Sequence, residues 1–161
     1  TYGTYHLPEA QMDRFIMKIS IGYPGKEAEM DILLRNEKNI SAKQLEHVIT
    51  CQEIVELMEE VKEVHCSDAI RNYIVEIVEA TREEDFIKLG VIPRGSIALY
   101  RMAKAYAFVK GRSYVVPDDI KDLAPYVLSH RIILTPKGKS LVSDNEEAIR
   151  KLLQNVIVPI E

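Results

Sequence analysis

IPRGSIALYRMAKAYAFV, Ile92 to Val109, is the stretch that decides the fold. From Ile97 to Val109 only Arg101 and Lys104 are charged. A helix here is apolar almost all round, the pattern of a central helix that other helices wrap. Pro93 presets the first turn, Gly111 suits the position just past the end, and the cation of Lys110 suits the C-terminal end of the dipole. Arg94 then lies beside backbone N–H groups that have no partner within the helix, an arrangement that attracts anions, phosphate included. Arg101 follows seven residues later on nearly the same face and extends the basic stripe.

Around this helix, 161 residues of which 47% are hydrophobic are enough for one domain, or for one domain with an attached piece. A net charge of −4 argues against general nucleic-acid binding, which calls for clustered basic residues. No apolar run approaches the roughly 18 residues of a membrane span, and no signal peptide is recognisable, so a cytoplasmic protein is expected. Cys51 and Cys66 lack the spacing of a zinc site and read as two free thiols. His6, His47, His65 and His130 are scattered without metal-ligand spacing.

Before the central helix, Pro8 to Arg14 suits one short helical turn. Phe15, Met17, Ile19, Ile21 and Tyr23 alternate with polar or small residues, the period of a strand, and Pro24-Gly25 ends it. A helix follows over about Lys26 to Arg35, then a loop over Asn36 to Ile49. Thr50 with Glu53 forms a capping box ahead of Ile54, Leu57, Met58 and Val61, with a glutamate-rich opposite face read as solvated. Ser67 caps a helix whose inner face is Ile70, Tyr73, Ile74, Ile77 and Val78, and Glu83 to Gly90 is a charged connector.

After the central helix, Pro117 with Asp118 and Asp119 starts a helix with Ile120, Leu123, Ala124 and Val127 inside. The two aspartates read as helix-start charges rather than a catalytic pair, and Pro125 is expected to kink or shorten the helix. Arg131 to Leu134 suits a brief strand, Pro136 to Gly138 a turn, and Ser143 with Glu146 the cap of a last helix packing Ile149, Leu152, Leu153 and Val156. The fold class is mainly α: a bundle of about five helices preceded by one strand. That strand requires a sheet the chain does not supply, so the chain is expected to be part of a longer protein whose other strands lie upstream.

At LPEAQMDRF, at IPRGSIALYRMAKAYAFVKGR and through YVVPDDIKDLAPYVLSHRIIL the sequence resembles the MoxR family of AAA+ ATPases, with the magnesium-chelatase ATPase subunits as the nearest confusable family. The resemblance implies that residues 1–24 end an α/β nucleotide-binding core and that residues 25–161 form its helical lid. It implies an arginine finger, offered to the neighbouring subunit, at Arg14, and a phosphate-sensing arginine, sensor two, at Arg94. Met12 stands where the family often has Leu, a volume-conserving exchange. The longer parent is then an ATPase using ATP and magnesium, assembled as a six-membered homo-oligomeric ring that remodels or matures client proteins, with a lid hinge near Tyr23 to Gly25. Arginine suits both positions because it stays charged and can fork onto two phosphate oxygens. The chain has no G-x-x-x-x-G-K-[ST] loop and no strand ending in Asp-Glu, so by itself it is expected to be inactive and to bind ATP only weakly. Without the resemblance, Arg14 reads as a surface residue, Arg94 as a capping one, and the chain as a non-catalytic helical interaction module.

Overall fold

The computed structural model describes residues 9–37 and 46–159, so His6, Leu7 and Pro8 and most of the expected Asn36–Ile49 loop lie outside the described residues. The chain divides into two compact units, one made of residues up to Lys18 together with those from Glu60 onward, the other of Ile19–Glu59.

The first unit holds the core. Its helices are α1 (Glu9–Met12), α4 (Asp68–Glu83), α5 (Pro93–Val109), α6 (Pro117–Leu128), α7 (Pro136–Leu141) and α8 (Asn145–Leu153). The second unit contains α2 (Lys26–Glu37) and most of α3 (Cys51–Glu63). The mainly helical class stands. In α4 the inner face is the expected one, Ile70, Tyr73, Ile74, Ile77 and Val78, extended by Thr81, and Ser67 caps it by accepting from the Ile70 N–H at 3.3 Å. Helix α6 packs between α5 and α8 with Ile120, Leu123, Ala124 and Val127 buried. It runs past Pro125 for three more residues before tightening into a 3₁₀ turn, Ser129–Arg131. The missing proline N–H shortens the helix rather than breaking it.

Helix α5 departs from the expectation of burial all round. Its buried residues are Gly95, Ala98, Leu99, Ala103 and Ala107, a stripe of mostly small side chains against α4 and α6. Ile97 and Val109 are 52% and 82% exposed. Small residues let the flanking helices approach closely, and only one side of α5 is needed for that. Gly111 follows the helix at φ +73°, the left-handed backbone that glycine adopts without strain.

Further differences concern pairing and caps. Residues 17–23 of the expected strand Phe15–Tyr23 have no regular secondary structure, because the stretch has no ladder partner among the described residues. The charged connector contains a strand instead: β1 (Ile87–Leu89) pairs antiparallel with β2 (Ile133–Leu134). The expected Pro136–Gly138 turn is the start of α7, where the Thr135 hydroxyl accepts from the Gly138 N–H at 3.0 Å. The α8 cap is displaced by one residue: Asp144 accepts from the Glu147 N–H, and Glu147 accepts in return from the Ser143 N–H. In α3 the Thr50–Glu53 box forms, and Ile54 and Met58 are exposed.

Candidate functional site at the start of helix α5

The connector into α5 is held by the end of α4. The buried Thr81 hydroxyl donates to Val78 O at 2.6 Å and accepts from the Val91 N–H at 2.9 Å, while Arg82 Nε donates to Val91 O. Val91 is fully buried. With both its backbone groups tied, the chain reaches Pro93 on a defined course, and Ile92 caps α5 without a side-chain hydrogen bond. Arg94 stands in the first turn with 58% of its side chain exposed, on the rim of a cleft of about 460 Å³ bordered by Asp13, Gly90, Ile92 and Arg131. The half-exposed arginine and the uncapped helix start together fit an anion.

Among the described residues the ionic partner of Arg94 is Asp13: Nη1 lies 3.2 Å from Oδ2. The other oxygen of the same carboxylate, Oδ1, accepts from Arg131 Nε at 3.1 Å. Arg131 was not singled out in the sequence, where it sits in the apolar run VLSHRIIL, and only 2% of its side chain is exposed. All five of its N–H groups have acceptors. Nε serves Asp13 Oδ1; Nη1 serves Ile16 O at 3.3 Å and also Val127 O; Nη2 serves Asp13 O at 3.2 Å and Phe15 O at 2.6 Å. Burial lowers the pKa of this guanidinium from its usual value, against the opposing pull of Asp13.

His130 completes the arrangement. Its Nε2 is 3.0 Å from Phe15 O and 2.7 Å from Arg131 Nη1, whose two hydrogens are already engaged by Ile16 O and Val127 O. Nε2–H therefore donates to Phe15 O, and Nδ1, buried without a partner, is the unprotonated nitrogen. Burial holds the ring below its usual pKa, opposed by the bond to Phe15. From α8, Asn145 Nδ2 donates to Ser129 O and Ile132 O and fixes the turn that carries both residues.

The backbone on both sides of Arg14 is thus held down, with Lys18 N–H donating to Tyr126 O at 2.8 Å and Met17 packed on the core. The Arg14 side chain is exposed and has no hydrogen-bond or ion-pair partner among the described residues. The structure brings the Arg14 segment and Arg94 together through Asp13; neither arginine touches the other directly. The other candidates weighed in the sequence are structural. Asp119 is buried and accepts both Nη groups of Arg112, at 2.8 and 2.5 Å, and the Val116 N–H at 3.0 Å. Lys104 donates to Lys62 O. Cys51 and Cys66 are free thiols, and among the described residues no group of three His, Cys, Asp or Glu side chains could hold a metal. No helix among them is long and apolar enough to cross a membrane.

The AAA lid domain family matches residues 79–152, from the end of α4 into α8. The chain is 33% identical, over 98% of its length and 44% of the relative's, to the chaperone MoxR1 of Mycobacterium tuberculosis. These matches support a part of a MoxR-family AAA+ protein. It is also 46% identical to the protein YeaC of Bacillus subtilis, over 99% of this chain and 50% of that one. A crystal structure of a Cytophaga hutchinsonii protein assigned as an ATPase superimposes with a TM-score of 0.87 at 35% identity, over 98% of this chain and 51% of that one. The chain spans about half the length of the curated relatives it matches.

Proposed function

We propose that the chain is the lid and arginine-finger portion of a MoxR-like AAA+ ATPase, which couples ATP binding and hydrolysis to chaperone-like remodelling or maturation of partner proteins. On this reading residues 1–24 end the nucleotide-binding core, residues 25–161 are the lid, and the protein works as a homo-oligomeric ring, six-membered and cytoplasmic. Bound ATP with magnesium would supply the transferable phosphoryl group and part of its charge neutralisation. Arg94 is the residue of this chain that would touch phosphate of its own subunit's nucleotide, and Arg14 the one that would reach the neighbour's.

The observation that carries the proposal is the state of Arg94. An ion pair as exposed as Arg94–Asp13 contributes only about 0–1 kcal/mol, whereas a charge-assisted hydrogen bond to phosphate in a closed site contributes roughly 1.5–3 kcal/mol. Arg94 can therefore leave Asp13 for a nucleotide. Asp13 would not be left as a lone buried charge, because Arg131 holds its second oxygen. Exchange of Asp13 for phosphate then ties the lid's position to the nucleotide state.

The test is ATP turnover by the full-length protein carrying Arg94→Ala or Arg14→Ala. We expect either substitution to lower kcat by at least about 10²-fold, with Arg14→Ala acting on the neighbouring subunit's site. Unchanged ATP binding and turnover in Arg94→Ala would remove the sensing role, and unchanged turnover in Arg14→Ala the finger role.

A further inference from the structure

The five engaged N–H groups of Arg131 leave a question that the proposed roles of Arg14 and Arg94 do not answer: why a buried arginine is spent on the backbone next to Arg14. Three of its acceptors are the carbonyls of Asp13, Phe15 and Ile16, and a fourth is the Asp13 carboxylate. The segment that carries Arg14 belongs to no regular element whose own hydrogen bonds would hold it; beyond α1 its internal backbone bonds among the described residues are the turn bonds Arg14 N–H to Gln11 O and Phe15 N–H to Met12 O. A loop with so little internal bonding gains its shape from outside. Arg131 provides that from the 3₁₀ turn after α6, itself pinned by Asn145. Its stem lies against the start of α5, where a Cβ added at Gly95 would come within 3.1 Å of Arg131 Cδ.

We infer that Arg131 is the positioning residue for the Arg14 finger. It holds the backbone on both sides of Arg14 so that the Arg14 side chain, exposed and without a hydrogen-bond or ion-pair partner among the described residues, is presented to a neighbouring subunit in a fixed direction. This rests on the reading of Arg14 as a finger. With only 2% of its side chain exposed, Arg131 acts through Arg14, and through Asp13 it shares a carboxylate with Arg94. The spacing matters because a finger must meet phosphate oxygens within hydrogen-bond distance, and a displacement of about 1 Å can cost on the order of 10²-fold in rate.

The experiment uses the full-length protein. Arg131→Gln should lower kcat for ATP by about 10- to 100-fold while KM stays within about twofold, because Arg94, the residue of the variant's own lid that would touch nucleotide, is unaltered. Arg131→Lys keeps the charge facing Asp13 but cannot reach three carbonyls at once, and should fall between Arg131→Gln and the parent; it carries the comparison if Arg131→Gln does not assemble. The deciding readout is the mixed ring. When Arg131→Gln subunits are combined with an equal amount of subunits whose own phosphate-binding loop is disabled but whose finger segment is unaltered, turnover per competent site should recover to about half of the wild-type value, since about half of those sites then face an intact finger. A damaged lid would not recover, and absence of recovery would overturn the inference, as would Arg131→Gln turnover within about twofold of wild type in parallel with inactive Arg14→Ala rings. Full turnover by Arg14→Ala would instead remove the finger reading on which the inference rests.

Discussion

His130 shows how one side chain reports on the loop beneath it. Its Nε2–H serves Phe15 O, its Nδ1 is buried without a partner, and burial keeps its pKa below the ordinary 6.5. Above about pH 6.5 the ring is neutral in both folded and unfolded chains, and its contribution to stability is complete. As pH falls below that value the unfolded chain takes up a proton that the folded chain refuses, so stability declines until the lower folded pKa has been passed. Thermal unfolding followed from about pH 7.5 down to about pH 5 should show this decline, and His130→Gln, whose amide N–H can still donate to Phe15 O, should show a shallower one. Equal slopes for the two proteins would mean that burial does not hold back the protonation of His130. The buried Asp119 poses no such question. Its carboxylate accepts from Arg112 twice and from the Val116 N–H, so the charge read in the sequence as a helix-start residue is one partner of a closed structural pair.

At the scale of the element, helix α5 depends on a space shared by two residues. A Cβ at Gly95 would stand 2.2 Å from Val91 Cγ1, and Val91 is a stiff, fully buried side chain that cannot swing aside. Gly95→Ala should therefore destabilise the protein by about 1–3 kcal/mol through overpacking, outweighing the roughly 1 kcal/mol by which alanine favours a helix interior over glycine. Val91→Ala removes the obstructing methyl, so the double variant should cost clearly less than the sum of the two single ones. Urea unfolding of the four proteins measures this, and strict additivity would show that the start of α5 relaxes by another route. The amphipathic spacing in the sequence locates α4, α5, α6 and α8, because those helices bury a face against one another. It locates α3 and its Thr50–Glu53 cap as well, although Ile54 and Met58 of that helix are exposed. Phe15–Tyr23 has the alternation of a strand, but without a partner among the described residues it forms no ladder.

For the whole molecule, the two compact units differ in what they bury. Helix α2 has no buried residue and exposes Met30, Ile32, Leu33 and Leu34, while α5 and α6 together hold much of the core. Native-state hydrogen exchange of this chain should follow that division: amides of α2 exchanging by local opening, those of α5 and α6 only with global unfolding. Comparable protection in α2 would show that its exposed apolar side is covered in solution. The candidate site belongs to the larger unit and was half legible in advance. Pro93, Gly111 and the nearly uncharged run between them mark α5 and put Arg94 in its first turn through local propensity and capping alone. Arg14, in DRF, was singled out by the resemblance. Asp13 and Arg131, far apart in the chain, carry no local signal of their connection. The sequence by itself determined the helices, their inner faces and the position of Arg94, because turn-to-turn periodicity and terminal residues act over a few positions. Only the tertiary structure decided that one buried arginine would engage the backbone around Arg14 and share a carboxylate with Arg94, because a buried guanidinium takes whatever acceptors the packed helices bring to it, and that set is settled when the fold closes.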